Sequence, residues 1–77
     1  MKGRERIPDG INRIAGTLSE VKNVAKLSFT RQLHDYLDYA VEEGLQFNLY
    51  VRKNTKLSRP LQEAVNQGLI NLEKIIQ

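Results

Sequence analysis

The stretch Thr17-Leu18-Ser19-Glu20-Val21-Lys22-Asn23-Val24 alternates in character from one residue to the next, which is the pattern of a β-strand. Leu18, Glu20, Lys22 and Val24 share one face of that strand. Because residues i and i+2 of a strand lie about 6.6 Å apart on the same face, the carboxylate of Glu20 and the ammonium of Lys22 project side by side. Two charges among apolar neighbours are costly unless they pair, bind a metal or take part in chemistry. We therefore expect function at this strand.

The segments around this strand predict a mixed sheet. They are a first stretch of strand character, separated from the strand by residues 10–16, then a helix, a strand, a second helix and a final strand. Their predicted bounds are residues 28–44 for the first helix, 45–51 for the next strand, 58–68 for the second helix and 69–76 for the last strand. Ser28 and Ser58 are the predicted N-caps, and Gly44 and Gly68 the predicted stops.

This order predicts an α/β fold. Strand–helix–strand units imply parallel pairing through right-handed crossovers, and the opening hairpin adds an antiparallel strand. We predict a small mixed β-sheet, with an opening hairpin followed by strand, helix, strand, helix and strand, flanked by helices. The 77 residues are expected to form a single domain, residues 1–77.

Composition narrows the classes of site and partner. The chain has no cysteine and one histidine, which excludes a disulfide framework, a thiolate zinc site and a histidine-based metal site. A metal would need oxygen ligands, which points to magnesium, manganese or calcium. No apolar run approaches the roughly 20 residues of a membrane span, so we expect a soluble chain. The net charge of +3 is compatible with a polyanionic partner and does not require one.

A second carboxylate is available near the central strand. Asp9 ends the first stretch, and a hairpin that folds back can bring it to Glu20. Two converging carboxylates repel each other unless a divalent cation lies between them, and magnesium accepts such oxygen ligands. Lys22 would then hold an attacking water or stabilise charge on a phosphate. The ordinary alternatives are an exposed Glu-x-Lys ion pair and an Asp-Gly turn.

The order of these residues resembles a known nuclease group. Pro8-Asp9, followed 11 residues later by Glu20-Val21-Lys22 on a strand and then by a helix, is similar to the PD-(D/E)xK nuclease superfamily. More narrowly, residues 6–10, 18–24 and 49–52 resemble the restriction-endonuclease-fold toxin domains. Such domains occur at the C-termini of bacterial polymorphic toxins, including Rhs-type and contact-dependent inhibition proteins. Only seven residues precede Pro8, so an excised or N-terminally truncated part of a larger toxin is expected.

The resemblance implies roles for individual residues. Asp9 and Glu20 would bind Mg²⁺ or Mn²⁺, and Lys22 would be the catalytic lysine. Gln32 and Tyr36 fit a Gln-x-x-x-Tyr pattern on the following helix, with Gln32 expected to assist catalysis and Tyr36 to contact nucleic acid. One turn separates them, so they share a helix face. The alternative for Tyr36 is a place in the core.

The resemblance also implies partners and a location. The toxin would be delivered from the producing bacterium within a larger secreted protein and would act in the cytoplasm of the target cell. A cognate immunity protein is the expected partner. A second copy of the chain is another, since many members of the superfamily have a helix before the first strand, and without it part of the sheet would be exposed.

Basic and aromatic residues add candidate nucleic-acid contacts. They are Arg31, Tyr50 and the basic stretch Arg52, Lys53, Lys56 and Arg59, which a solvated basic loop explains equally well. Three functions stay open: a metal-dependent nuclease toxin, a non-catalytic nucleic-acid-binding or protein-interaction module on the same fold, and a scaffold without a nucleic-acid role. The sequence does not distinguish a DNA substrate from RNA such as transfer RNA.

Overall fold

The computed structural model describes residues 10–76, with the side chains to residue 75. These residues form six strands and two helices. In chain order they are β1 (Gly10–Asn12), β2 (Thr17–Lys22), β3 (Lys26–Leu27), α1 (Arg31–Glu43), β4 (Gln46–Arg52), β5 (Lys56–Leu57), α2 (Arg59–Asn66) and β6 (Asn71–Ile76). The predicted α/β class is confirmed.

The main sheet has four strands in the order β1-β2-β4-β6. β1 is antiparallel to β2, whereas β2, β4 and β6 are mutually parallel, as the strand–helix–strand order predicts. β3 and β5 form a second, two-stranded parallel sheet. This small sheet continues the β2 and β4 chains beyond their carboxyl ends, and it was not predicted from the sequence.

One face of the main sheet carries the core. Leu18 of β2 and Phe47, Leu49 and Val51 of β4 are at most 1% exposed and alternate with residues of the opposite face. Side chains of both helices belong to the same buried cluster, which contains Leu33, Tyr36 and Ala40 of α1 and Leu61 and Ala64 of α2. Glu20 is on this face too, so a carboxylate lies within the apolar layer.

The opposite face of the sheet is largely polar. Its described side chains include Ser19 and Val21 of β2 and Asn48 and Tyr50 of β4. Asn48 is buried there. The cost of burying its amide is offset because Oδ1 accepts hydrogen bonds from the side-chain amides of Gln46 (2.7 Å) and Asn71 (3.0 Å).

α1 begins two residues later than predicted and ends where predicted. Thr30 is its N-cap, with Oγ1 accepting a hydrogen bond from Leu33 N at 3.3 Å. The predicted cap Ser28 was wrong because the chain is still extended there: Leu27 O, just before it, accepts from Ser58 N in the small sheet. Gly44 ends the helix with φ of 69°, a conformation that glycine adopts without steric cost.

α2 follows its predicted signals closely. Ser58 is the N-cap, its Oγ accepting from Leu61 N at 3.4 Å, and Pro60 lies in the first turn, where its missing N–H is not needed. Gly68, with φ of 82°, follows the helix. Neither α1 nor α2, the helices of the described part of the chain, is long and apolar enough to cross a membrane.

The opening hairpin is tighter than predicted. Residues 10–16 were expected to connect the first two strands, but β1 occupies Gly10–Asn12, so only residues 13–16 form the turn. Arg13 in this turn bonds the carboxylate of Glu43 at 2.9 Å and the hydroxyl of Tyr39, both on α1. The hydrogen bond to Glu43, with a further contribution from Tyr39, raises the pKa of Arg13. These contacts fasten the hairpin to the helix.

Candidate active site

Glu20 and Lys22 lie on the core-facing side of β2. In the parallel ladder Glu20 is opposite Leu49 and Lys22 opposite Val51, both fully buried. Glu20 itself is 5% exposed. Lys22 is the last residue of β2, so its stem runs along the apolar layer while its ammonium lies at the carboxyl end of the strand. The expected projection of both charges from one face is therefore present.

The ammonium of Lys22 is held from two sides. Nζ is 3.3 Å from Oε2 of Glu20 and donates a hydrogen bond to Oε1 of Gln32 at 2.6 Å. Gln32 is the second residue of α1, so the strand and the helix each supply one acceptor. The three side chains that sequence reasoning assigned to catalysis within the described residues thus meet at one point.

The geometry leaves the lysine able to act on a ligand. An ammonium has three N–H donors and no acceptor, and the described residues engage two of them, one through the hydrogen bond to Gln32 and one through the ion pair with Glu20. Its side chain is 26% exposed, against 7% for that of Glu20. A ligand at this edge of the sheet can therefore reach the third N–H, while the carboxylate stays largely shielded from bulk water. A shielded position strengthens an electrostatic interaction relative to water.

The described part of the site fits an oxygen-ligated cation only in part. Glu20 offers a carboxylate, the donor type that hard cations take, but no group of three or more Asp, Glu, His or Cys side chains among the described residues could hold a metal. Asp9, the other predicted ligand, lies outside the described residues. The described β1–β2 ladder ends with Gly10 opposite Ser19, one residue along the chain from Asp9 and from Glu20.

Tyr36 lies one turn along α1 from Gln32 but has a different environment. It is 1% exposed, and its ring packs edge-on against Phe47 with the centroids 6.4 Å apart and an interplanar angle of 86°. Edge-to-face packing is a preferred arrangement for two aromatic rings. This burial favours a packing role for the ring over the predicted contact with nucleic acid.

The other predicted nucleic-acid contacts are dispersed. Tyr50 and Arg52 alternate with Leu49 and Val51 on β4, so the sheet separates them from the Lys22 ammonium. Arg52 donates through Nε to Oδ1 of Asn23 at 2.6 Å. Lys53 is exposed in the loop after β4, and Arg31 is exposed at the start of α1, next to Gln32. Of these, Arg31 is nearest in the chain to the site.

The sequence of residues 1–61 matches the family model described as restriction endonuclease fold toxin 7. The chain belongs to this family. The matched stretch includes Asp9, Glu20, Lys22 and Gln32, and the predicted resemblance to restriction-endonuclease-fold toxin domains is confirmed. Searches of curated proteins and of solved structures gave no significant match.

This toxin domain contains a second polar cluster that was predicted only in part: Lys56 belongs to the predicted basic stretch, but its pairing with Lys26 was not expected. The tripeptide Lys-Leu-Ser occurs twice, at residues 26–28 and 56–58, and β3 and β5 pair the two copies in register. Lys26 lies directly opposite Lys56, and a shallow groove is lined by residues of both copies. The repeated tripeptide was the signal available in the sequence, but three residues are too short a repeat to predict pairing.

Proposed function

We propose that this domain is a magnesium- or manganese-dependent endonuclease that hydrolyses phosphodiester bonds of DNA or RNA and acts as an interbacterial toxin. Membership of a restriction-endonuclease-fold toxin family supports a nuclease toxin. The observation that carries the catalytic part is the Lys22 ammonium, held between Glu20 and Gln32 at the carboxyl end of β2.

Lys22 acts on the phosphate or on the water that attacks it. Hydrolysis of a phosphodiester adds negative charge to the phosphoryl oxygens, and a positioned N–H donor stabilises that charge most when it is already oriented. The two acceptors orient the ammonium before substrate binds, so little reorganisation is needed in the reaction. The remaining N–H serves as the donor to substrate or water.

Gln32 acts through Lys22. Its amide oxygen accepts a short hydrogen bond from Nζ and carries no charge, so it fixes the position of the ammonium without neutralising it. A second carboxylate at this position would compete with the phosphate for the lysine. Gln32 is therefore a positioning residue in this proposal.

Glu20 and Asp9 form the proposed cation site. Asp9 directly precedes Gly10 in the chain, and Gly10 lies opposite Ser19, the residue before Glu20, which supports the assignment of both carboxylates to one site. The buried carboxylate of Glu20 supplies one hard oxygen ligand, and Asp9 would supply the other. A bound Mg²⁺ or Mn²⁺ would make a coordinated water more acidic and neutralise charge on the phosphate.

The toxin role adds partners outside the catalytic residues. We propose delivery within a larger secreted protein, action in the target-cell cytoplasm, and a cognate immunity protein in the producing cell. A second copy of the chain remains a further proposed partner. β6 forms one edge of the main sheet, and an edge strand offers unpaired backbone groups to another chain.

The rival proposal is a binding module without catalysis. Two stretches of the chain, one from the end of β2 into α1 and one that contains β4 and β5, carry cations and no acid: residues 21–34 contain Lys22, Lys26 and Arg31, and residues 44–62 contain Arg52, Lys53, Lys56 and Arg59. Such a basic edge binds nucleic acid whether or not a metal site is complete.

Calorimetric titration with Mn²⁺ separates the two proposals. Wild type, Asp9→Asn and Glu20→Gln are compared with Asp38→Asn, an exposed carboxylate on α1 that serves as the control. The nuclease proposal expects binding by wild type and by the control, lost in the other two, together with chelator-sensitive cleavage of plasmid DNA or transfer RNA. If Asp9→Asn and Glu20→Gln bind Mn²⁺ as tightly as wild type, or if folded wild type cuts neither substrate, the binding module is the better explanation.

A further inference from the structure

We propose that the groove between β3 and β5 is a second phosphate-binding site, which holds the backbone of the nucleic-acid substrate beside the proposed catalytic lysine. This inference rests on the proposed function for the identity of the ligand. The groove is lined by Lys26, Leu27 and Ser28 of one segment and Lys56, Leu57 and Ser58 of the other.

The two lysines are placed at an energetic disadvantage. Lys26 and Lys56 are direct partners in the parallel ladder, where neighbouring strands lie about 4.8 Å apart. Both are exposed, and neither forms an ion pair with a described residue. Like charges directly opposite each other destabilise a sheet, so a contribution to folding stability does not explain why two lysines occupy these positions. A bound anion between the two ammonium groups would offset the repulsion.

The serines add neutral donors to the same groove. The Ser28 hydroxyl makes no hydrogen bond with the described residues, and Ser58 uses its oxygen to accept from Leu61 N, which leaves its O–H proton able to donate. Both lysines and both serines thus line one groove, and none of the described residues that line it has a carboxylate. This donor set matches the oxygens of a phosphodiester backbone, which offers acceptors and negative charge only.

The position of the groove relates it to the candidate active site. Lys26 follows Lys22 by four residues, so their Cα atoms are at most about 14 Å apart. Two hydrogen bonds hold the two chain extensions together between these points: the side-chain Oγ1 of Thr55 donates to Val24 O at 2.8 Å, and the backbone N of Lys56 donates to Ala25 O at 2.9 Å. A nucleic-acid strand that contacts Lys22 can therefore extend into the groove.

Oligonucleotide binding in the presence of chelator tests the site without hydrolysis. A labelled single-stranded DNA or RNA oligonucleotide is titrated with wild type, Lys26→Gln and Lys56→Gln over a series of salt concentrations. Arg13→Gln, in the exposed turn before β2 and hence at the other end of that strand from Lys22, is the control with the same change in net charge. Each groove variant is expected to bind more weakly than wild type. The plot of log binding constant against log[salt] should also become less steep, its slope smaller in magnitude by about 0.7 to 1. The control should resemble wild type.

Thermal unfolding distinguishes binding from a structural role. Because the two ammonium groups repel each other, the double variant Lys26→Gln/Lys56→Gln is expected to melt at the wild-type temperature or above it. Weaker binding together with preserved stability supports the groove. Binding losses equal to those of the control Arg13→Gln, or losses that accompany a lower melting temperature, would overturn it.

The outcomes for the groove and for catalysis are separable. If wild type does not cut nucleic acid but the groove variants lose binding as expected, the phosphate site stands and the proposed hydrolysis fails. If wild type cuts and the groove variants bind like the control, the hydrolysis stands and the groove is wrong.

Discussion

The Nζ atom of Lys22 donates a 2.6 Å hydrogen bond to Oε1 of Gln32, joining the last residue of β2 to the first turn of α1. The connection between these two elements contains β3, so the chain passes through the small sheet between Lys22 and Gln32. With Glu20 on the same strand, it gives the lysine two acceptors from different elements. The orientation of the ammonium therefore depends on how α1 packs on the sheet.

Removal of the Gln32 acceptor should raise the activation free energy of cleavage by more than it lowers the free energy of unfolding. A hydrogen bond to a charged group contributes roughly 1.5–3 kcal/mol, so Gln32→Ala is expected to lower the cleavage rate about 10- to 100-fold. The rate is measured at saturating substrate, and unfolding by urea is measured in parallel. Gln62→Ala on α2, where the amide bonds exposed Asn66, is the control and should keep the wild-type rate. Equal rates for both variants would contradict a positioning role for Gln32.

The buried apolar residue opposite Glu20 should contribute measurably to the free energy of unfolding. Leu49 is fully buried opposite Glu20, so Leu49→Ala removes packed methyl groups and is expected to lower the free energy of unfolding by about 2–5 kcal/mol. Leu69→Ala deletes the same atoms from a side chain that is 48% exposed, and about 1 kcal/mol is expected there. Urea unfolding of both variants gives the comparison. Equal losses would mean that the β4 core position has been misjudged.

The two tyrosines should separate into a packing residue and a surface residue. Tyr36→Ala empties a core position against Phe47 and is expected to cost about 3–5 kcal/mol of folding free energy. Tyr50→Ala should leave a folded protein, because its ring is only partly buried on the opposite face. Urea unfolding and oligonucleotide binding are measured on both. A folded Tyr36→Ala protein with wild-type stability and weakened binding would restore the nucleic-acid contact predicted from the sequence.

The Arg13 contacts should control the order of the opening hairpin. Arg13→Gln removes the ion pair with Glu43 and the contact with Tyr39, so the amides of β1 are expected to exchange their hydrogens faster than in wild type. Hydrogen exchange read by mass spectrometry or NMR gives the rates. Arg59→Gln, at the exposed start of α2, is the control. Unchanged exchange at Gly10–Asn12 would show that pairing with β2 alone holds the strand.

Local signals in the sequence predicted most of the fold. Ser58 and Gly44 determined a helix start and a helix end, and both lie where their chemistry suggested. The alternation at Leu18, Glu20 and Lys22 predicted which side chains share a face. Each of these features depends on residues that are neighbours in the chain, so the sequence contains the required information.

Features that depend on distant contacts were not predicted. The shift of the first cap from Ser28 to Thr30 and the existence of β3 both follow from pairing with residues about 30 positions away in the sequence. The meeting of Gln32 with Lys22 was only suggested by resemblance, since helix periodicity gives the face of Gln32 but not what that face contacts. The metal site remains a prediction because Asp9 lies outside the described residues.

Cleavage by Lys22→Ala tests the central proposal most directly. Plasmid DNA and total transfer RNA are incubated with Mg²⁺ or Mn²⁺ and with wild type, Lys22→Ala or the control Lys74→Ala, with folding checked by circular dichroism. We predict that wild type and Lys74→Ala cut one of the substrates, that chelator stops them, and that Lys22→Ala is slower by about a hundredfold or more. Cleavage by Lys22→Ala at the wild-type rate would contradict a catalytic role for this lysine.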